Sequence, residues 1–315
     1  MSETDTTIDT DSETAKAMMT DYHIGTLSPE DRITLSQGDS QPETSSEPSA
    51  TFLSPRHWKR STLASKTTVS WDTRIFRFKL DSPSQTLGLP TGQHMMIRLR
   101  DPVTRETIIR SYTPISPQTE PGAVDVLVKI YFDTPSRKGG KMSQAIDQLP
   151  LGHPIEFKGP IGKFEYKGNG LCTVNGAARQ IDKLLLVCGG SGVTPIYQVY
   201  RAVMQDRADP TRCVVLNGNR LLEDVLCKTE LDSYHRDNAA SEKSKLLYTL
   251  TQAPEGWEGL KGRIAAPLLR ENARRAEFCP GGNAMVLICG PEPLETSVKE
   301  ALLEIGWGEE EMLFF

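Results

Sequence analysis

Two apolar runs, Leu184-Leu-Leu-Val-Cys188 and Met285-Val-Leu-Ile-Cys289, dominate the hydrophobic pattern, and each stops at a Cys-Gly step. A run with no polar position reads as a strand covered on both faces, the habit of parallel sheets. Glycines directly after such a run let a ligand approach the backbone at the carboxyl ends of the strands, where nucleotides bind in open parallel sheets. Around these runs the pattern alternates: strand 184–188, helix 195–206, strand 213–217, helix 223–236, strand 246–250, helix 266–276, strand 285–289 and helix 294–305. Such alternation predicts a parallel sheet with helices on both faces.

The preceding part has a different texture. Short segments with period-two alternation, at 67–69, 73–80, 94–99, 108–112, 124–132 and 155–157, are separated by Gly and Pro and predict a small antiparallel barrel. Gly159-Pro-Ile-Gly162 reads as a turn that closes it. The predicted fold class is therefore two-domain, β followed by α/β: an antiparallel β-barrel over 51–170, then a parallel-sheet nucleotide-binding domain over 181–315. Residues 1–50 are rich in Ser, Thr, Asp, Glu and Pro and cannot bury enough surface to offset ordering entropy, so they are expected to form a mostly disordered acidic tail. Within it, Ser12–Met19 carries a short helical pattern and Asp21-Tyr-His-Ile-Gly-Thr-Leu27 follows like the trailing end of another module.

Composition narrows the function classes. With 315 residues and 37% apolar content, two ordinary domains can each bury a core. No apolar stretch is long enough to span a membrane, and the acidic opening does not resemble a targeting signal, so a cytoplasmic location is expected. The net charge of −5 hides an asymmetry, because residues 1–50 hold eleven acids and two bases and the remainder is mildly basic. No Lys/Arg block argues for nucleic acid; the body suits an acidic protein partner. Cys172, Cys188, Cys213, Cys227, Cys279 and Cys289 form no C-x-x-C pair, and His23, His57, His94, His153 and His235 show no ligand spacing, so neither a disulfide framework nor a metal site is expected.

Four segments carry candidate chemistry. Arg110-Ser-Tyr-Thr-Pro114 ends a predicted strand: the arginine can pair a phosphate bidentately, and the tyrosine, two residues on, offers a flat face to an aromatic ring. Taken alone, that segment also reads as an edge-strand Arg and a rim Tyr. Val128-Lys-Ile-Tyr-Phe132 adds an aromatic pair, and Gly139-Gly-Lys-Met-Ser143 opens a helical stretch whose first N–H groups can hold a pyrophosphate. Gly189, Gly190 and Gly192 before Thr194-Pro195 give a tight turn with proline in the first helical turn, a departure from G-x-G-x-x-G that points away from an ordinary Rossmann dehydrogenase.

In this order, Arg110-Ser-Tyr-Thr, Gly139-Gly-Lys-Met-Ser, Cys188-Gly-Gly-Ser-Gly-Val-Thr-Pro and Cys289-Gly-Pro-Glu-Pro resemble the flavin and nicotinamide motifs of the ferredoxin reductase-type superfamily, cytochrome b5 reductase branch, over residues 51–315. Gly218-Asn-Arg-Leu-Leu-Glu-Asp-Val-Leu226, Phe157-Lys-Gly-Pro-Ile-Gly-Lys-Phe-Glu-Tyr166 and the 12–27 stretch resemble the C-terminal flavin region of eukaryotic assimilatory nitrate reductase of fungal type, the last of them like the edge of its haem-binding b5 domain. The resemblance implies that Arg110, Ser111, Tyr112, Thr113, Val128, Lys129, Ile130, Tyr131, Phe132, Gly140, Lys141, Met142 and Ser143 bind FAD, with Thr194 approaching the flavin from the nicotinamide side. It likewise implies that Gly189, Gly190, Ser191, Gly192, Cys289, Gly290, Pro291 and Pro293 receive the dinucleotide, with Phe315 near the flavin. Thr113 and Cys289 become the catalytic candidates, although Cys289 also reads as a small buried strand-end residue.

NADH-using relatives place an acid after Tyr-Thr-Leu to accept the ribose 2′-OH. Here that position is Thr251, with Arg263 downstream as a cation, so NADPH is expected with NADH possible. The family's haem ligand segment His-Pro-Gly-Gly is missing, as is its molybdenum domain, so haem and molybdenum cofactor are not expected on this chain. The resemblance implies a flavoprotein that takes a hydride from NADPH and passes single electrons to a b5-type haem domain or acidic haem protein, in nitrate assimilation, with a homodimer if the chain belongs to the full enzyme. The alternatives are a free-standing NAD(P)H-cytochrome b5 reductase and a redox-silent nucleotide-binding scaffold.

Overall fold

Burial alternates along the front strands as the period-two pattern requires. In β3 (His94–Arg100) every second residue is buried, and Phe76 and Phe78 of β2 (Thr73–Lys79) point the same way. These meet Phe157 of β6 (Pro154–Ile161), whose ring lies edge-on to Phe78 at 5.2 Å and to Phe52 at 6.1 Å. Each such fully buried aromatic contributes on the order of 1.5–3 kcal/mol of transfer free energy. The computed structural model describes residues 50–101, 104–238, 241–275 and 280–315. The readings made for residues 1–49 and for Cys279 lie outside the described residues.

The front sheet is antiparallel with strand order β4-β3-β6-β1-β2-β5, where β1 is Lys59–Ser70, β4 Thr107–Tyr112 and β5 Ala123–Lys129. Its ends approach one another beyond β4, where the Ile115 N–H donates to the Asp125 carbonyl of β5 at 2.9 Å. Helix α1 (Lys141–Gln148) packs Met142, Ala145 and Ile146 into the same core.

The rear sheet is parallel, in the order β13-β12-β11-β10-β14-β15. Strands β10 (Lys183–Gly189) and β14 (Ala284–Cys289) lie side by side with Cys188 opposite Cys289, which brings the two Cys-Gly ends together. Next to β10 lie β11 (Arg212–Asn219), β12 (Ser244–Leu250) and the short β13 (Leu260–Lys261). Helices α2 (Val193–Gln205), α3 (Lys228–Asp237), α4 (Ala266–Arg275) and α5 (Glu292–Glu304) cover the faces. Leu127, Ile75 and Ile115 of the front lobe are packed into the rear core, so an apolar seam joins the lobes. Among the described residues no helix is long and apolar enough to cross a membrane.

Several elements differ from the sequence pattern. Strand β1 runs from Lys59, well before 67, because its first half is held by backbone pairing to β6 and then β2 while only Ser61 and Leu63 of it are buried. Strand β5 ends at Lys129 instead of 132, since the Ile130 N–H turns to the Asp72 carbonyl. Gly159-Pro160 lies inside β6 and not in a closing turn, and Ile161 still pairs with His94. A separate three-stranded sheet, β7 (Phe164–Gly168), β8 (Leu171–Val174) and β9 (Ala177–Gln180), occupies a stretch for which the pattern gave no strand. Its β8–β9 turn is Asn175-Gly176 with φ of 52 and 82, the geometry of a two-residue hairpin. The helix expected from 223 starts at Lys228, because Leu222–Asp224 forms a tighter turn and Cys227 sits at φ 54. Strand β15 (Met312–Phe314), also absent from the pattern, pairs with β14.

Candidate active site

A cavity of about 630 Å³ lies between the lobes. Its front wall begins at the end of β4, where alternation places Arg110 and Tyr112 on one side, followed by Ser111 and Thr113. Arg110 is exposed; its guanidinium donates to the Ile109 carbonyl at 2.7 Å, and no carboxylate pairs with it among the described residues. Tyr112 packs against the front core, and burial pushes its phenol far above the ordinary range, so it is a neutral hydroxyl.

The wall continues with Leu127, Val128 and Lys129 of β5, then Tyr131. The Lys129 ammonium is held by two carboxylates, Asp72 Oδ2 at 2.7 Å from the front lobe and Asp224 Oδ1 at 3.1 Å from the rear lobe. Burial opposes its charge, but the hydrogen bonds it donates to Asp72 and Asp224 outweigh that and hold its pKa above the usual lysine value. Gly140, Lys141, Met142 and Ser143 bring the amino end of α1 to the cavity. No side chain caps that end and its first turn holds no acid. It therefore offers unclaimed N–H groups and the positive end of the helix dipole. The loop before it is built tightly: a Cβ on Gly139 would lie 2.2 Å from the Tyr131 carbonyl oxygen.

The rear wall is made by the two glycine-terminated strands. Ser191, Gly192, Thr194 and Pro195 come from the β10–α2 turn, and Cys289, Gly290 and Pro291 from the end of β14. Gly192 is forced: with φ −64 its backbone is ordinary, but a Cβ there would meet the Cys289 carbonyl oxygen at 2.4 Å. The turn is fastened by the Gly190 N–H to Asn219 Oδ1 at 3.1 Å, and the Gly290 N–H donates to Glu295 Oε1 at 3.1 Å. Burial, with the Glu295 charge adding to it, pushes the Cys289 thiol up to about 12. Phe315 closes the cavity beside Phe164, ring to ring at 6.3 Å.

Not every expected residue reaches this wall. Ile130 is buried in the front core and Phe132 stacks on the exposed Trp71 at 6.0 Å, because alternation past Lys129 turns both away from the side that Tyr131 shares. Gly189 and Gly190 lie behind the wall at the strand end, and Pro293 is exposed in the first turn of α5. Thr251 and Arg263 are exposed beyond the cavity at the ends of β12 and β13; the Thr251 N–H donates to the Asn219 carbonyl. Sequence reasoning missed His94, Leu127, Arg137 and Pro195 as wall residues. His94 was findable from register, since its neighbour Met95 pairs with Tyr112. Burial lowers its pKa and favours the neutral ring. Arg137 sits in an irregular loop and left no such signal. Arg220 is a further exposed cation beside Thr251, its Nε donating to Gln252 Oε1 at 3.1 Å.

The arrangement meets the demands of an FAD site: an unpaired arginine and an uncapped helix end for a diphosphate, a neutral tyrosine for a ring, and a second wall that leaves room for a dinucleotide. The oxidoreductase FAD-binding domain family matches residues 60–166 and the oxidoreductase NAD-binding domain family residues 186–300. The crystal structure of the cytochrome b5 reductase domain of Ulva prolifera nitrate reductase is 32% identical, with a TM-score of 0.78, covering 84% of this chain and 100% of that one. The chain belongs to the cytochrome b5 reductase family. Fungal relatives extend the likeness of this cytochrome b5 reductase domain: Nitrate reductase [NADPH] of Leptosphaeria maculans is 57% identical and that of Aspergillus niger 53%, each over 96% of this chain. The domain spans only about a third of their length, 34% in both cases. Like other members of its family it is an FAD-dependent NAD(P)H oxidoreductase.

Proposed function

We propose that this chain is the reductase portion of an assimilatory nitrate reductase, taking electrons from NADPH and delivering them singly to a b5-type haem domain in the cytoplasm. The observation that carries the reading is a cavity walled on one side by the ends of β4, β5 and α1, and on the other by the joined ends of β10 and β14. FAD, when bound, supplies the conversion of a hydride into single electrons.

The residues present divide the remaining work. Arg110 and the amino end of α1 hold the diphosphate through charge-assisted hydrogen bonds. Tyr112 packs against the ring system and Thr113 follows it on the same wall, while Thr194 and Pro195 face them from the rear lobe. Cys289, Gly290 and Pro291 receive the nicotinamide, where the glycine permits close approach and Cys289 fills space as a neutral thiol. Phe315 excludes water, and a dry, fixed pocket gives the proximity a direct hydride transfer needs. Thr251, with no carboxylate to repel a 2′-phosphate, and the nearby exposed Arg220 and Arg263 favour NADPH over NADH.

Purification gives the decisive experiment. The protein should be yellow with one FAD per chain, bleach with NADPH faster than with NADH, and reduce ferricyanide and a b5 haem domain added in trans. A colourless protein that ignores NADPH would favour a scaffold, and a tight preference for a free cytochrome over the nitrate reductase haem domain would favour a free-standing reductase.

A further inference from the structure

Helix α2 starts at the cavity wall and runs beneath the front lobe with an unusual stripe. Thr194, Gln198 and Arg201 follow at spacings of four and three, hence on one face, and each is buried, at 7%, 1% and 2% exposure. The remainder of the helix is mostly apolar core. Two of these polar residues are satisfied by front-lobe backbone. The Gly92 N–H donates to Gln198 Oε1 at 2.6 Å, and Arg201 donates from Nη1 to the Ile115 carbonyl at 2.5 Å and from Nη2 to the Ser116 carbonyl at 2.8 Å. The guanidinium also lies over the Tyr197 ring at 5.2 Å, and no carboxylate pairs with it among the described residues.

A buried cation held by carbonyls adds little net stability compared with an apolar residue of the same size, so packing alone does not account for it. Its distinctive property is geometry, since a planar fork fixes the directions of two acceptors in one plane where a lysine acts as a freely rotating point charge. The front-lobe partners are informative. Ile115 and Ser116 directly follow the Arg110–Pro114 segment of the front wall, and Gly92 lies two residues before His94 of the same wall. The helix bearing both side chains begins with Thr194 and Pro195 of the rear wall.

We propose that Gln198 and Arg201 are positioning residues that set the separation of the two cavity walls, and through it the approach of nicotinamide to flavin. Neither touches the cavity; both tie a rear-wall helix to front-wall backbone. The inference rests on the flavin reading above. Because a misplacement of about 1 Å costs roughly 10²-fold in a reaction that depends on proximity, loosening this tie should slow hydride delivery and little else.

The experiment separates the two half-reactions in Arg201→Met, Arg201→Lys and Gln198→Ala proteins. Reduction of bound FAD by NADPH is followed anaerobically, and reoxidation of dithionite-reduced protein by ferricyanide is followed separately. Expected are unchanged FAD content and reoxidation, a 10- to 100-fold fall in the saturating reduction rate for Arg201→Met with little change in half-saturating NADPH, and a partial recovery in Arg201→Lys. Loss of FAD from Arg201→Lys and Gln198→Ala alike, parallel slowing of both half-reactions, or an unchanged reduction rate overturns the proposal. An unsubstituted protein that holds no FAD sinks the flavin reading instead, so the two failures are distinguishable.

Discussion

Replacing Gly192 by alanine tests the joined strand ends directly. The new Cβ would sit 2.4 Å from the Cys289 carbonyl oxygen, 2.6 Å from its carbon and 2.7 Å from the Gly290 nitrogen, all of them backbone atoms with no rotamer to escape into. The backbone at Gly192 has φ −64, which alanine adopts freely, so the effect is steric alone. The contact is about 1 Å short of an ordinary van der Waals approach, and relieving it must move the β10–α2 turn away from the end of β14. Overpacking of this kind costs roughly 1–3 kcal/mol of stability, and a shift of that size between reacting partners costs on the order of 10²-fold in rate. FAD should be retained, since the front wall is untouched, while kcat/KM for NADPH falls by about 10- to 100-fold. Steady-state ferricyanide reduction with FAD quantified in parallel measures both, and a Gly192→Ala protein with kcat/KM within about twofold of the parent would refute the reasoning.

Three further outcomes concern Thr251, beyond the cavity, and Cys289 and His94 of its walls. Thr251→Asp should move the NADPH-to-NADH ratio of kcat/KM about tenfold or more toward NADH, roughly 1.4 kcal/mol, and an unmoved ratio removes the role given to that position. With its thiol pushed up to about 12, Cys289 should react with iodoacetamide far more slowly than a free cysteine at neutral pH; rapid stoichiometric labelling would show a thiolate that the burial argument excludes. His94 is held neutral by burial, so the folded protein binds its proton less readily than the unfolded chain. Its contribution is present above the ordinary histidine pKa and is lost as pH falls through the lowered value. Urea denaturation from about pH 8 down to pH 5 should therefore show a smaller acid loss in His94→Asn than in the parent, and identical slopes would refute it.

The rear lobe was legible because its chemistry coincides with its hydrophobicity. The runs ending at Cys188 and Cys289 are strands buried on both faces, and Gly192, which follows the first, is required by its contact with the end of the second. The front lobe was legible where one face is buried, as in β2 and β3. It was illegible where backbone pairing holds a strand that buries little, as in the first half of β1, and in β8 and β9, whose Asn175-Gly176 turn was a usable signal. Motif residues marked the site as far as alternation kept them on one side. Ile130 and Phe132 belong to the motif in sequence but face elsewhere, while His94 and Arg137 reach the wall through register and loop geometry that spacing does not encode. The Gln198 and Arg201 stripe was present in the sequence as two polar positions on an apolar helix, and only the structure shows what they hold.

The adjacency of β10 and β14 has a bearing on how the molecule matures. Lys183 is paired with Ala284, so about a hundred residues must be gathered before these neighbours meet, and the intervening strands β11 and β12 stack on the opposite side of β10. The front sheet closes a loop of similar span, since Lys59 of β1 pairs with Phe157 of β6, so each lobe waits on contacts between distant parts of the chain. Because β6 precedes β14 in the chain, a nascent polypeptide has the whole front sheet in hand before the second rear-wall strand exists, and damage to β14 should leave a pigmented protein unable to be reduced.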